Sequence, residues 1–262
     1  MSAIIIDDKI VHYEVLGRGK PIIFLHGWVG SWRYWIQTMQ AASTSFRAYA
    51  LDLWGFGESA KENKFYSLEQ QTELLDQFMN AMGIGKVALV GHGLGAAVAL
   101  LYASKHDFVV DRAMVIAMPT KGAGLIERVG GTAPTDLAGR VLDQSSTPQA
   151  ILTEAAKADP AAIHTSLEEL QFINLMELSH QVTTASLVVY GKNDPVIPAP
   201  DLGDNGSLPQ MFHHIIFEDS GHFPMLDQPS KFQRLMKDFL DLPSGESPRQ
   251  LQLKEEWKRR VR

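Results

Sequence analysis

The chain has 262 residues, of which 45% are hydrophobic and 21% are charged, and its formal net charge is -6 at pH 7. This composition is ordinary for a globular protein and excludes a disordered chain or a coiled coil. The acidic balance gives no electrostatic reason to bind nucleic acid or an anionic membrane surface, so neither is expected as a partner. The chain has no cysteine, which excludes disulfides, a thiol nucleophile and a zinc–thiolate site.

The apolar stretches of the chain do not predict a membrane span. The stretch Val87–Leu101 is interrupted by glycines and is too short to cross a bilayer, and no charged-then-apolar leader opens the sequence. We therefore expect a cytoplasmic protein.

In chain order, the predicted elements alternate between strands and helices. Ile4–Ile6 and Ile10–Val15 predict an opening hairpin. Continuous apolar runs then recur, as in strands that are buried on both faces of a parallel sheet. These runs are Pro21–Leu25, Ala48–Leu53, Val87–Val90, Met114–Ala117, Leu187–Tyr190 and Ile215–Phe217. Helices are predicted from a capping box at Ser67 and Gln70 through Met82, over Ala96–Ser104, and from Pro229 through Leu240.

This alternation predicts an α/β fold with a doubly wound, mostly parallel sheet. One region interrupts it. Residues 119–184 contain no strand pattern and have helical patterns at Leu137–Leu142, Gln149–Ala158 and Leu167–Ser179. We interpret residues 119–184 as a helical cap inserted into a core formed by residues 1–118 and 185–242. Residues 243–262 form a charged C-terminal tail, interpreted as a solvated or frayed end.

The motif with the clearest chemical meaning lies between a buried strand and a helix. Gly91-His92-Gly93-Leu94-Gly95 places glycines two residues before and after a central position, which is the pattern of a sharp strand-to-helix turn that presents a nucleophile. A dinucleotide-binding loop is the alternative, but its spacing requires glycine where Ala96 stands. No acidic ribose ligand follows the next strand, where Met118 and Pro119 stand. We therefore expect no cofactor.

Three further segments follow predicted strands. His26-Gly27-Trp28 follows the strand expected beside the turn, where one oxyanion donor is needed, and the N–H of Leu94 is the other candidate donor. Asp194 and His222 follow the last two strands, so that an acid can orient a histidine. His92, His213 and His214 are interpreted as structural, and no metal site is expected because their spacing to acidic residues does not fit one.

Over Ile4–Leu240 the chain resembles the α/β-hydrolase superfamily, in particular its bacterial carboxylesterase-like members. The resemblance rests on His26-Gly27-Trp28, Asp52–Ser59, the Gly91–Gly95 turn, Gly191–Pro198 and Ser220–Gln228. It implies the α/β-hydrolase fold and a Ser-His-Asp triad in the order nucleophile, acid, base. The implied roles are acid for Asp194, general base for His222, oxyanion donors at Trp28 and Leu94, and substrate contacts at Gly27, Trp28 and Phe223.

The sequence departs from this family at one decisive position, because Gly93 stands where the nucleophilic serine is expected. Glycine cannot form an acyl-enzyme. The predicted function is that of a carboxylic ester hydrolase for a small ester or carboxylate, nearly inactivated at this position. Two alternatives remain open: a natural pseudohydrolase that binds a small ligand without turnover, and a C–C hydrolase or lyase of the same fold.

Overall fold

The structure is a computed structural model and describes residues 2–120, 124–129, 133–141, 149–200 and 208–251. Its centre is an eight-stranded sheet in the order β1-β2-β4-β3-β5-β6-β7-β8. The strands are β1 (Ser2–Ile6), β2 (Lys9–Gly17), β3 (Lys20–Leu25), β4 (Phe46–Leu51), β5 (Val87–His92), β6 (Val110–Ile116), β7 (Ala185–Gly191) and β8 (Phe212–Phe217). The two pairs made by β2 are antiparallel and all other pairs are parallel, which confirms the predicted mostly parallel sheet.

The described residues also form ten α-helices. They are α1 (Ile36–Ala42), α2 (Leu68–Ala81), α3 (Leu94–Lys105), α4 (Leu125–Val129), α5 (Pro134–Val141), α6 (Gln149–Ala155), α7 (Pro160–Leu170), α8 (Leu175–Ser179), α9 (Pro224–Asp227) and α10 (Pro229–Leu240). Short 3-10 turns occur at Trp32–Trp35, Asn63–Phe65 and Pro248–Gln250. None of the helices within the described ranges combines the length and hydrophobicity needed to cross a bilayer.

Local sequence signals explain where the core helices begin. The Ser67 hydroxyl accepts the N–H of Gln70 at 3.1 Å and so caps α2 as expected. The predicted capping box is only half formed, because the Gln70 side chain donates to Glu73 instead of reaching back to Ser67. Helix α10 begins at Pro229, and its apolar side chains are buried against the sheet, as its 3.6-residue pattern predicts.

The strand order brings the ends of particular strands together. Parallel pairing of β3 with β5 sets Leu25 opposite Gly91, and pairing of β7 with β8 sets Gly191 opposite Phe217. Strands β3, β5, β6, β7 and β8 are therefore parallel neighbours whose carboxyl ends lie along one edge of the sheet. Ligand sites of open α/β sheets lie at this edge.

Between β6 and β7 the described residues form helices α4 to α8 and no strand. We call residues 117–184 the insertion. The prediction of a single helical segment over Leu167–Ser179 was wrong, because α7 ends at Leu170 and α8 begins after Asn174. The Asn174 side chain accepts the N–H groups of Met176 and Glu177, which starts a new helix there. Leu142, the predicted end of another helix, lies outside the described residues.

The first part of the C-terminal tail is bound to the core. The guanidinium of Arg249 donates to the backbone carbonyls of Leu208, Pro209 and Phe212, at the start of β8. This stretch of the tail is therefore not the frayed end that the sequence predicted. Residues 252–262 lie outside the described part of the chain.

Candidate active site

Gly93 occupies the turn between β5 and α3 with φ 53° and ψ −111°, a conformation that residues with a Cβ rarely adopt. The flanking glycines make the turn possible. A Cβ on Gly91 would lie 2.2 Å from the Gly95 carbonyl oxygen, and one on Gly95 would lie 2.4 Å from the Leu25 carbonyl oxygen. We call residues 91–95 the elbow. Its geometry is the one that the sequence motif predicts.

Four backbone N–H groups around the elbow differ in whether they have an acceptor within the described part of the chain. The N–H of Gly93 donates to Ile116 and that of Gly95 donates to His26, at 2.9 and 3.0 Å. By contrast, the N–H groups of Trp28 and Leu94 have no acceptor among the described residues, although both residues are buried. Unpaired buried N–H groups are rare. They occur here at the two positions predicted to be oxyanion donors.

The loops after β7 and β8 bring the predicted acid and base together. Asp194 Oδ1 accepts the N–H groups of Val196 and Ile197 at 2.8 and 2.9 Å, which fixes the carboxylate. Its Oδ2 lies 2.7 Å from His222 Nδ1. A carboxylate only accepts, so Nδ1 carries the proton of this bond and Nε2 is the nitrogen left to act as a base. Within the described ranges Nε2 has no hydrogen-bond partner.

The loop after β3, residues 26–31, lies against the elbow, and we call it the β3 loop. A Cβ on Gly93 would lie 3.3 Å from Trp28 Cζ3 and 3.5 Å from Gly27 Cα. The Trp28 indole therefore lines the space next to Gly93, where the sequence predicts a pocket residue. The other two residues predicted to contact substrate also make contacts within the protein, since the Gly27 N–H donates to the Tyr34 hydroxyl and the buried Phe223 ring packs on His92.

Helix α7 is tied by hydrogen bonds to Trp28 of the β3 loop and to Gly55 and Tyr66. The Trp28 indole N–H donates to the Ser166 hydroxyl at 3.0 Å, and that hydroxyl donates to the Ile163 carbonyl at 2.9 Å. Asp159, the N-cap of α7, donates its backbone N–H to Gly55 and accepts the Tyr66 hydroxyl at 2.6 Å. Ser166 could not be predicted as a site residue, because its contact with Trp28 joins residues 138 apart in the sequence.

The Asp52–Ser59 segment forms hydrogen bonds with the β3 loop and with Trp32, which follows the loop. Asp52 Oδ1 accepts the N–H of Trp32 at 2.7 Å, and Oδ2 accepts from His12 Nδ1 at 2.9 Å. His26 Nε2 accepts the N–H of Leu53 at 3.0 Å, which holds the loop to the end of β4. These contacts assign a structural role to a motif that the resemblance left without one. Among the described residues no three His, Asp or Glu side chains are grouped to hold a metal ion.

The geometry can be compared with known proteins. The model of the alpha/beta hydrolase family matches residues 22–234. The chain belongs to the alpha/beta hydrolase family. It is 24% identical over 254 residues to a pimeloyl-[acyl-carrier protein] methyl ester esterase of Vibrio cholerae, covering 87% of this chain and 97% of that protein.

Two other similar proteins are a hydrolase and an esterase. A 2-hydroxy-6-oxo-6-(2'-aminophenyl)hexa-2,4-dienoic acid hydrolase of Metapseudomonas resinovorans is 25% identical over 262 residues, covering 87% of this chain and 86% of its own. The solved structure of an esterase from Exiguobacterium antarcticum superposes with a TM-score of 0.80 at 19% identity, covering 91% of this chain and 98% of the esterase.

Restoring a side chain at the elbow is expected to cost stability. The left-handed φ of Gly93 penalises any Cβ by about 1–3 kcal/mol, whereas removing glycine from the unfolded chain recovers about 0.5–1 kcal/mol. Trp28 crowds the new Cβ and is held by Ser166, so it cannot move away freely. Gly93→Ser should therefore lower the unfolding free energy in urea by about 1–2 kcal/mol.

Gly93→Ala is the matched variant, since it adds the Cβ without the hydroxyl. Equal losses in both variants assign the effect to the backbone and the Trp28 contact. A serine variant as stable as the unmodified protein would show that the elbow carries no strain.

Buried histidines near the site predict a loss of stability in mild acid. Burial lowers the pKa of His26, and more strongly that of His92, below the usual value near 6.5. The unfolded chain therefore binds protons that the folded chain does not, and stability falls as the pH drops below about 6.5. Each histidine contributes about 1.4 kcal/mol per pH unit in that window.

Urea unfolding between about pH 7.5 and pH 5 measures this effect. Asp111 does not titrate in this pH range in the folded protein. Its burial alone would raise its pKa, but hydrogen bonds from Ser244 and Arg112 outweigh the burial and hold the pKa at about 2. An unfolding free energy that stays constant across this range would contradict neutral, buried histidines.

Proposed function

We propose that this hydrolase-family chain binds a small carboxylic ester, or the carboxylate derived from it, in the site of an ester hydrolase whose nucleophile has been lost. The observation that carries the proposal is the arrangement around Gly93. Asp194 and His222 form a buried pair joined at 2.7 Å, and the N–H groups of Trp28 and Leu94 have no acceptor among the described residues, while Gly93 at the elbow has no side chain. This arrangement provides for charge on a carbonyl oxygen but supplies no group to attack the carbonyl carbon.

The residues that remain support only a slow, direct hydrolysis. The N–H groups of Trp28 and Leu94 would donate hydrogen bonds to the ester carbonyl oxygen as it gains negative charge. His222 Nε2 would take a proton from water as the oxygen of that water adds to the carbonyl carbon, and Asp194 would stabilise the resulting imidazolium. The tetrahedral adduct would then expel the alcohol, which receives the proton from His222. Sites without their nucleophile retain about 10³–10⁴-fold over water.

Covalent labelling tests whether the site is one that a serine would complete. Gly93→Ser should react with a fluorophosphonate probe, and mass spectrometry should place a single adduct on residue 93. The unmodified chain and the double variant Gly93→Ser/His222→Ala are the controls. Both should stay unlabelled, since one lacks the hydroxyl and the other lacks the base. An unlabelled, folded Gly93→Ser protein would count against an ester-hydrolase site.

One contact favours a second candidate, a pseudohydrolase that responds to its ligand through the insertion. Trp28 joins the wall of the site directly to α7 through Ser166, so a ligand above Gly93 would press on this bond. Hydrogen exchange of α7 with and without a short-chain ester measures the response. Strong protection of α7, combined with ligand-dependent capture of a second protein, would favour the pseudohydrolase over a disabled enzyme.

A further inference from the structure

Tyr34 and His92 link the β3 loop to the backbone of His222 through a chain of hydrogen bonds. His92 Nε2 lies 2.9 Å from the His222 carbonyl oxygen, which can only accept, so Nε2 must carry a proton. Burial holds the pKa of His92 well below its usual value, and the ring is neutral. Its Nδ1 is therefore an acceptor.

The Tyr34 hydroxyl fills the space between that acceptor and the β3 loop. It lies 3.1 Å from His92 Nδ1 and donates its only proton there. Its oxygen accepts the N–H of Gly27 at 2.5 Å. Burial raises the pKa of Tyr34 well above its usual value, so the hydroxyl stays protonated. Every bond from Gly27 to His222 consequently has one possible direction.

The β3 loop is shaped around this pair of side chains. A Cβ on Gly27 would lie 2.9 Å from His92 Nδ1, and one on Gly30 would lie 2.0 Å from Tyr34 Cε1. Any side chain at either position would displace the ring that it faces. Two glycines of the loop thus leave room for the two rings, which is independent support for a specific arrangement.

We propose that Tyr34 and His92 are positioning residues of the ester-hydrolysis site, an inference that rests on the function proposed above. Tyr34 accepts the N–H of Gly27, while the N–H of Trp28 next to it has no acceptor in the described part of the chain. His92 joins Tyr34 to the His222 carbonyl and so holds the His222 backbone at a fixed place relative to that loop. The proposed oxyanion donor and the base lie on separate loops, and these hydrogen bonds fix the position of one loop relative to the other.

Kinetics in the Gly93→Ser background test the positioning role. Adding Tyr34→Phe keeps the ring but removes the hydroxyl, which frees the β3 loop. We expect kcat to fall about 10–100-fold, as for displacements near 1 Å, with KM nearly unchanged because the oxyanion donors act on the transition state. Tyr102→Phe is the matched control, because it loses a tyrosine hydrogen bond, to Asp76 at 2.8 Å, between α3 and α2. It should leave kcat unchanged.

Nitrogen NMR of the unmodified chain tests the hydrogen-bond chain without any activity. His92 should be protonated on Nε2, and Tyr34→Phe should shift its Nδ1 resonance. A proton on Nδ1 overturns the proposal. A kcat that Tyr34→Phe leaves unchanged also overturns it, while leaving the ester-hydrolase function intact. An inactive, folded Gly93→Ser protein contradicts the proposed function and, with it, any positioning role.

Discussion

Gly93→Ser is expected to raise the rate of ester hydrolysis on the order of a millionfold, because loss of the nucleophile from a triad costs about that much. The serine hydroxyl would lie at the elbow, where His222 Nε2 has no other partner within the described residues. The oxyanion donors need no change, since both are main-chain groups of Trp28 and Leu94. Initial rates on p-nitrophenyl esters of increasing chain length measure the gain and rank the acyl groups.

Two variants separate the hydroxyl from other effects of the substitution. Gly93→Ala fills the same space without a nucleophile and should remain as inactive as the unmodified chain. Gly93→Ser/His222→Ala keeps the hydroxyl but removes its base and should lose the gained activity. A folded serine variant that hydrolyses none of the esters would remove the ester-hydrolase proposal and favour a binding protein.

Gly191→Ala is expected to lower the unfolding free energy by about 3 kcal/mol or more, the upper range for overpacking. A Cβ on Gly191 would lie 1.8 Å from the carbonyl oxygen of Gly221 and 2.6 Å from that of Ser220. Both neighbours are backbone atoms and cannot rotate away. The loops that carry Asp194 and His222 would have to separate, so the 2.7 Å bond between these side chains should lengthen.

Gly139→Ala provides the comparison for this second effect. Gly139 is exposed on α5, and among the described residues no heavy atom outside its chain neighbours and its own helix backbone lies within 4 Å of the position of its added Cβ. Alanine should stabilise that helix by about 0.5–1 kcal/mol. Urea unfolding of both variants gives the difference, and a Gly191→Ala protein as stable as Gly139→Ala would contradict the close backbone contact.

The residues that could be predicted from the sequence are those fixed by short-range patterns. The β5 run and its following glycines identify the elbow, since burial on both faces and a tight turn each restrict residue type locally. Asp194 and His222 could be predicted because each follows an apolar run. Whether Asp194 orients His222 depended on the pairing of β7 with β8, which the structure supplies.

The supporting residues could not be predicted, because their partners are distant in sequence. Tyr34 lies in a short 3-10 turn and looks like an ordinary core aromatic, yet its hydroxyl reaches His92, 58 residues away. The cap at Asn174 was overlooked for a different reason. The apolar residues on either side of it continue a helical pattern, and only the side-chain bonds to Met176 and Glu177 reveal the break.

The two proposed oxyanion donors are backbone N–H groups, and this has a consequence for how mutations affect the site. Every substitution at Trp28 or Leu94 except proline changes the side chain but keeps the backbone N–H of that residue, so drift at these codons rarely deletes the donors. Any side chain at Gly91 or Gly95 would clash with backbone atoms, so selection for a folded protein removes substitutions at these two elbow positions. In the proposed reaction, a change in codon 93 is therefore enough to supply the missing nucleophile. Two of the four glycine codons, GGT and GGC, become serine codons by a single base change.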